Sequence, residues 1–195
     1  MAALRDHGPR RTDPARGWRL DCLCAHASLG PLRPSQSTGS LVAHLAPDLA
    51  TYWLTGTSTP CTGLFKPVYL GGAGLPDLGP EAGGTADPHS LWWAHERLQR
   101  ATCRDYANRL ALYRAERDAL EATWLAEARE VYQRYRGVAG AERAEPLRAF
   151  TASCFARAAE ATARWYAVVS AEPVRRQPPL LHALAWQRFD KEAGL

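Results

Sequence analysis

Five cysteines, Cys22, Cys24, Cys61, Cys103 and Cys154, are the side chains best suited to chemistry in this chain. Their odd number and wide spacing do not describe a disulfide framework. Cys22 and Cys24 stand two apart, so on a strand they share one face, and with His26 and Cys61 they could ligate zinc. One C-x-C without a second close pair is a weak signature, and buried free thiols are the commoner state, so no metal is expected. No serine stands in a nucleophile-elbow pattern, which leaves a Ser–His–Asp triad unsupported. The glycines between Gly71 and Thr85 fit neither G-x-G-x-x-G nor a stretch ending in G-K-[ST], and so make no phosphate cradle. All but Lys66 and Lys191 of the 24 basic side chains are arginine, and the net charge is only +4. The arginines interleave with acids, as in Arg114-Ala-Glu-Arg-Asp118, the pattern of a solvated helix face. Nucleic acid is therefore not an expected partner.

The elements that must position these residues divide into strands and then helices. Residues 18–26 alternate at short range and read as a strand, as do 38–46 and 50–57. The last two flank a Pro47-Asp48 turn and should pair antiparallel. Residues 64–70 supply a short extended piece. Residues 71–86 read as a Gly- and Pro-rich surface loop between a strand-rich part, 1–70, and a helical region, 87–195. Asp87-Pro88 carries helix-start chemistry, and no Gly or Pro recurs until Gly137. Within that run Tyr106, Tyr113 and Leu120, with Leu110, Trp124 and Val131, form one apolar stripe, on one long helix or two. A further helix is expected from Pro146 to before Pro173, and a last one over 180–192 with Leu181, Leu184 and Phe189 inward. No apolar run is long enough for a membrane span, and residues 1–16 lack the apolar core of a secretory signal, so a cytoplasmic location is expected. Arginine in place of lysine suggests a GC-rich bacterial genome.

Three blocks carry a resemblance that covers nearly the whole chain. The first is Cys24-Ala-His26 with Arg33-Pro-Ser-Gln-Ser-Thr-Gly-Ser-Leu-Val42, preceded by Leu4-Arg-Asp-His7. The second is Trp53-Leu-Thr-Gly-Thr-Ser-Thr-Pro-Cys-Thr-Gly-Leu-Phe-Lys-Pro-Val68. The third is Leu91-Trp-Trp-Ala-His-Glu-Arg-Leu98, followed by Tyr106 and Tyr113-Arg-Ala-Glu-Arg-Asp118. In this order and spacing they resemble the C-terminal portion of the secernin family of cytosolic dipeptidases. The second block is the most specific; after Gly137 only a helical pattern is shared.

The resemblance implies an α+β chain with part of the αββα fold of N-terminal-nucleophile hydrolases: antiparallel strands in the first third, then a helical region. It implies hydrolysis of dipeptides or small amides by a terminal cysteine, whose own α-amino group acts as base, with no metal or organic cofactor. This sequence departs from the family at the nucleophile. It begins Met1-Ala-Ala3, and its first cysteine, Cys22, lies inside an expected strand. No catalytic residue carries over, and the only asparagine, Asn108, is remote from the strand blocks. His26, Arg33, Ser35, Ser37 and Thr38 are the candidate substrate-binding residues, an arginine and small polar groups that could orient a carboxylate or carbonyl. The alternative is that they cap turns and satisfy backbone groups. The expected function is that of a C-terminal dipeptidase fragment, inactive alone and prone to self-association. The alternative is a non-catalytic interaction module completed by a partner chain.

Overall fold

A computed structural model describes residues 1–8, 13–16, 22–28, 33, 35–70 and 74–195. The chain is α+β: among the described residues three short strands form an antiparallel sheet, and five α-helices follow. Strands β1 (Leu41–His44), β2 (Thr51–Leu54) and β3 (Lys66–Val68) pair in the order β1-β2-β3. The Pro47-Asp48 turn brings Val42 opposite Trp53 and His44 opposite Thr51, while Tyr52 faces Val68. Period-two alternation buries Thr51 and Trp53 on one face of β2. All three residues of β3 are buried.

The strand expected over 18–26 does not form in its described part. Residues 22–26 make bends and irregular backbone, and 18–21 lie outside the described residues. The alternation there reflects a segment folded between other elements: the Cys24 amide donates to the Asp6 carbonyl, and the Ser37 amide to the Ala25 carbonyl.

The helical run resolves into α1 (Leu91–Cys103), α2 (Tyr106–Ala111) and α3 (Arg114–Tyr135). The helix starts at Leu91, later than Asp87-Pro88 suggests, because the Asp87 carboxylate accepts from the His89 amide in a tight turn of its own. The break between α1 and α2 falls at Asp105. Its backbone leaves the helical region at φ −153°, and its carboxylate accepts from Asn108 and from the Arg175 and Arg176 amides. Burial opposes its ionisation, but those donors hold it below the usual carboxylate range.

Helix α4 (Gly140–Ala171) begins six residues before the expected Pro146 and buries Leu147, Thr151, Cys154, Ala158, Ala161, Trp165 and Val169 along one stripe. Helix α5 (Leu180–Ala193) corrects the expected inward face. Leu181 and Leu184 are 57% and 52% exposed. His182 and Ala185 are buried instead, and Trp186 donates to the Ala27 carbonyl at 3.0 Å. The face that meets the molecule runs through 182, 185, 186 and 189, which turns both leucines toward water.

One core joins the layers: Trp53 and Phe65 from the sheet region, Leu98 from α1, Trp124 from α3, and Ala158 and Trp165 from α4. Tyr113 stacks on Trp165 at 4.8 Å between centroids. A smaller cluster of Leu49, Tyr69 and Leu147 lies beside it. Among the described residues, no helix is long and apolar enough to cross a membrane.

Candidate functional site

Two features outside ordinary packing meet on the loop between β2 and β3. That loop is bent by Gly56 at φ +59° and Thr59 at φ +38°, the latter a strained value for a β-branched residue. The Thr59 amide donates to the Ser37 carbonyl, and Thr62 closes the turn back onto Thr59 through both its amide and its hydroxyl. Cys61 therefore sits at a fixed corner, its carbonyl gripped by the Arg117 guanidinium.

The first feature is a buried group of thiols and imidazoles. His7, Cys24, His26 and Cys61 each present one ligand-type atom, and the four atoms lie within 4.8 Å of one another. His26 Nε2 is 3.4 Å from Cys24 Sγ and 3.2 Å from Cys61 Sγ, while its Nδ1 faces Cys103 Sγ at 3.8 Å. His7 stands edge-on to His26 and to Tyr106, and its Nε2 is buried with no hydrogen-bond partner among the described residues. His7 is held there by Arg5, whose guanidinium forks onto Glu121 and also donates to the Pro60 and Gly63 carbonyls. Glu121 in turn accepts from the Phe65 amide, so one buried ion pair fastens the first residues to both the loop and α3. Burial resists ionisation of Cys61, but hydrogen bonding with Cys24 and the charge and contacts of His26 and His7 outweigh it and hold the thiol well below its ordinary range. Cys24, hydrogen-bonded to Cys61 and buried, is pushed up. Such a set can coordinate a metal or close a disulfide; its burial denies it to a bulky substrate.

The second feature is a cleft of about 520 Å³ between α1 and α4. Its floor is Thr57, Lys66 and His95, and the α4 wall carries Ala152, Ala156 and Ala159. Lys66 Nζ donates to the Thr55 and Leu64 carbonyls at 2.5 and 2.9 Å and lies over the Phe155 ring. Burial lowers its pKa to about 7, and the charge of Glu121 offsets part of that. His95 faces the Ser58 carbonyl through Nε2 at 3.0 Å, and burial, then the charge of Lys66, lowers it to about 4. Beside it Glu96 accepts from Ser58, Gln36 and Arg100. The Thr57 hydroxyl is buried without a partner among the described residues. A Cβ on Gly63 would stand 3.3 Å from that hydroxyl and 3.4 Å from the His95 ring, so a side chain there would press on the Thr57 hydroxyl.

The residues proposed from sequence for substrate binding are dispersed. His26 belongs to the thiol cluster. Arg33 is buried, accepts the Ser28 amide at its carbonyl and donates to Cys22 Sγ. The Ser37 hydroxyl accepts the Ala25 amide at 3.2 Å. Ser35 and Thr38 are exposed, the Thr38 carbonyl accepting from Trp92. None of the five lines the 520 Å³ cleft. Sequence reasoning passed over Lys66 and His7 as site residues. The signal for Lys66 was a lysine inside an otherwise apolar extended piece, one of only two in the chain.

The fold thus defines an α+β protein with a thiol–imidazole cluster and an adjoining cleft that is apolar apart from its floor. No protein-family model, no curated protein and no solved structure matches the chain.

Proposed function

We propose that this chain is the C-terminal part of a secernin-like dipeptidase, carrying one sheet of an αββα fold and the substrate cleft. In this reading it acts in the cytoplasm, and the nucleophilic cysteine comes from sequence outside these residues. The observation that carries the reading is the convergence of the blocks of the resemblance. Thr57 and Lys66 from the second block and His95 from the third meet on one cleft floor, and Gln36 of the first reaches Glu96 beside it. The cleft volume lies within the range of small-molecule sites, roughly 300–1,000 Å³. An ammonium held by two carbonyls under an alanine-lined wall, beside an unpartnered hydroxyl, suits the carboxylate and amide of a short peptide.

The test is the protein expressed with the in-frame sequence encoded directly upstream. That form is expected to expose an N-terminal cysteine and hydrolyse dipeptides. Lys66→Met should raise KM by about tenfold with kcat little changed, as loss of one charge-assisted contact predicts. The 195-residue chain alone is expected to show no turnover. Hydrolysis by that chain surviving Cys22→Ser would defeat the proposal.

The second reading, a non-catalytic module completed by a partner chain, is favoured by the sheet edge. Among the described residues β1 has no strand on its outer side, and Leu41 within it and Leu45 just after it are 54% and 74% exposed. An upstream frame without a cysteine-led segment, together with a partner protecting the β1 amides from exchange, would favour it.

A further inference from the structure

We propose that His7, Cys24, His26 and Cys61 form a buried zinc site with four protein ligands and a structural role. The geometry is close to that of a closed tetrahedral site before the ion enters. With Zn–N about 2.0–2.1 Å and Zn–S about 2.3 Å, a tetrahedron has N···S edges of about 3.5 Å. The two N···S contacts of His26 are 3.4 and 3.2 Å, and all four ligand atoms fall within 4.8 Å. An ion at the centre therefore asks for shifts of a few tenths of an ångström at His26 and a modest closing of the rest.

The chemistry of the set points to zinc. Two thiolates with two imidazoles is a tetrahedral S₂N₂ donor set that suits this ion, whereas magnesium and calcium want oxygen ligands. On binding, the ion exchanges its water ligands for two sulfurs and two nitrogens. Any proton still on either thiol passes to solvent, and two thiolates balance the dipositive charge, leaving a neutral centre that can stay buried. Surrounding groups orient the ligands. His26 turns Nε2 to the sulfurs and leaves Nδ1 facing Cys103 Sγ at 3.8 Å, on the side where metal-bound histidines usually make a second contact. The Tyr106 ring packs edge-on against both histidines. Arg117 fixes the Cys61 backbone, and Arg5 draws in the segment carrying His7. The His7 Nε2 otherwise has no partner among the described residues. A cavity of about 440 Å³, bounded by Arg5, His7, Cys61, Tyr106 and Arg117, leads to two of the four ligands and gives an ion its path. With all four positions taken by side chains, no coordination site remains for substrate, so the ion would staple rather than catalyse.

The experiment uses the full chain, reduced and stripped of metal with a chelator. Cobalt(II) added in place of zinc should give intense tetrahedral visible bands and thiolate-to-cobalt charge transfer, saturating at one ion per chain and displaced by zinc. Zinc should raise the melting temperature of the reduced chain. Cys24→Ser and Cys61→Ser should each weaken zinc binding by more than about 100-fold, beyond what loss of an outer contact costs. Cys22→Ser and Cys154→Ser should leave it unchanged. Should the ligand variants fail to fold, the wild-type cobalt spectrum decides alone. Absence of thiolate charge transfer, zinc binding that survives Cys24→Ser, or a Cys24–Cys61 disulfide in a chain that takes up no zinc after reduction would each overturn the proposal.

Discussion

Glu121 concentrates several duties in one carboxylate. It receives both arms of Arg5 and the Phe65 amide, at 7% side-chain exposure. Removing one partner of a buried pair strands the other, which costs roughly 3–5 kcal/mol. Glu121→Ala should therefore destabilise the chain by about 3 kcal/mol in urea unfolding, and a loss below about 1 kcal/mol would show that Arg5 finds other partners. At this scale the sequence was informative about residue type and silent about direction. The C-x-C pair with His26 and Cys61 marked three members of the thiol cluster, because sulfur and imidazole are few enough to stand out. The four residues that the sequence allowed as ligands had Cys22 as the other member, which presupposed a strand, though no metal was expected of them. Residues 22–24 bend instead, Cys22 turns to the Cys24 carbonyl and Arg33, and His7 fills the remaining corner. Nothing local in the sequence announces His7, since the ion pair that delivers it spans 116 residues.

Among the elements, helices were legible because their apolar period persists whatever they pack against. The pairing of β1 with β2 was legible because a short Pro-Asp turn leaves few alternatives. What escaped was set by distant contacts. The α1–α2 break falls at Asp105, which is tied to amides near residue 175, and α5 faces inward through a small ridge rather than through its two leucines. Helix α4 carries its own contradiction, a proline seven residues in. A helix-interior proline lacks a donor and crowds the preceding turn, yet the helix continues back to Gly140. Pro146→Ala should raise stability by about 2 kcal/mol, less than the full interior penalty because the unfolded chain also gains freedom. Differential calorimetry would register it, and a lowered melting temperature would mean that the proline shapes the contact of Leu147 with Leu49 and Tyr69.

The whole molecule keeps several ionisable groups out of water, and this sets its response to pH. His95 has a folded pKa of about 4 against an ordinary 6.5, because burial disfavours its cation. Between those values the unfolded chain binds a proton that the folded chain refuses. Stability from this group is thus complete above pH 6.5 and is lost as pH falls through about 4. His182, also lowered to about 4 by burial, acts in the same direction. His95→Gln, which keeps a donor for the Ser58 carbonyl, should remove on the order of 3 kcal/mol of the loss between pH 6.5 and 4. Unfolding curves for both proteins across that window would measure the difference, and parallel curves would contradict the assignment.

The long ties across the molecule also govern when it can fold during synthesis. Arg16 bonds to Gln177 across 161 residues, and Ala27 to Trp186 across 159. A ribosome adding about 5–20 residues per second needs roughly ten to thirty seconds to deliver the second half of those bonds. Until then the backbone that follows Cys24 and His26 lacks its Trp186 partner. The nascent polypeptide thus shows its thiols to the surrounding redox milieu before the fold can shelter them.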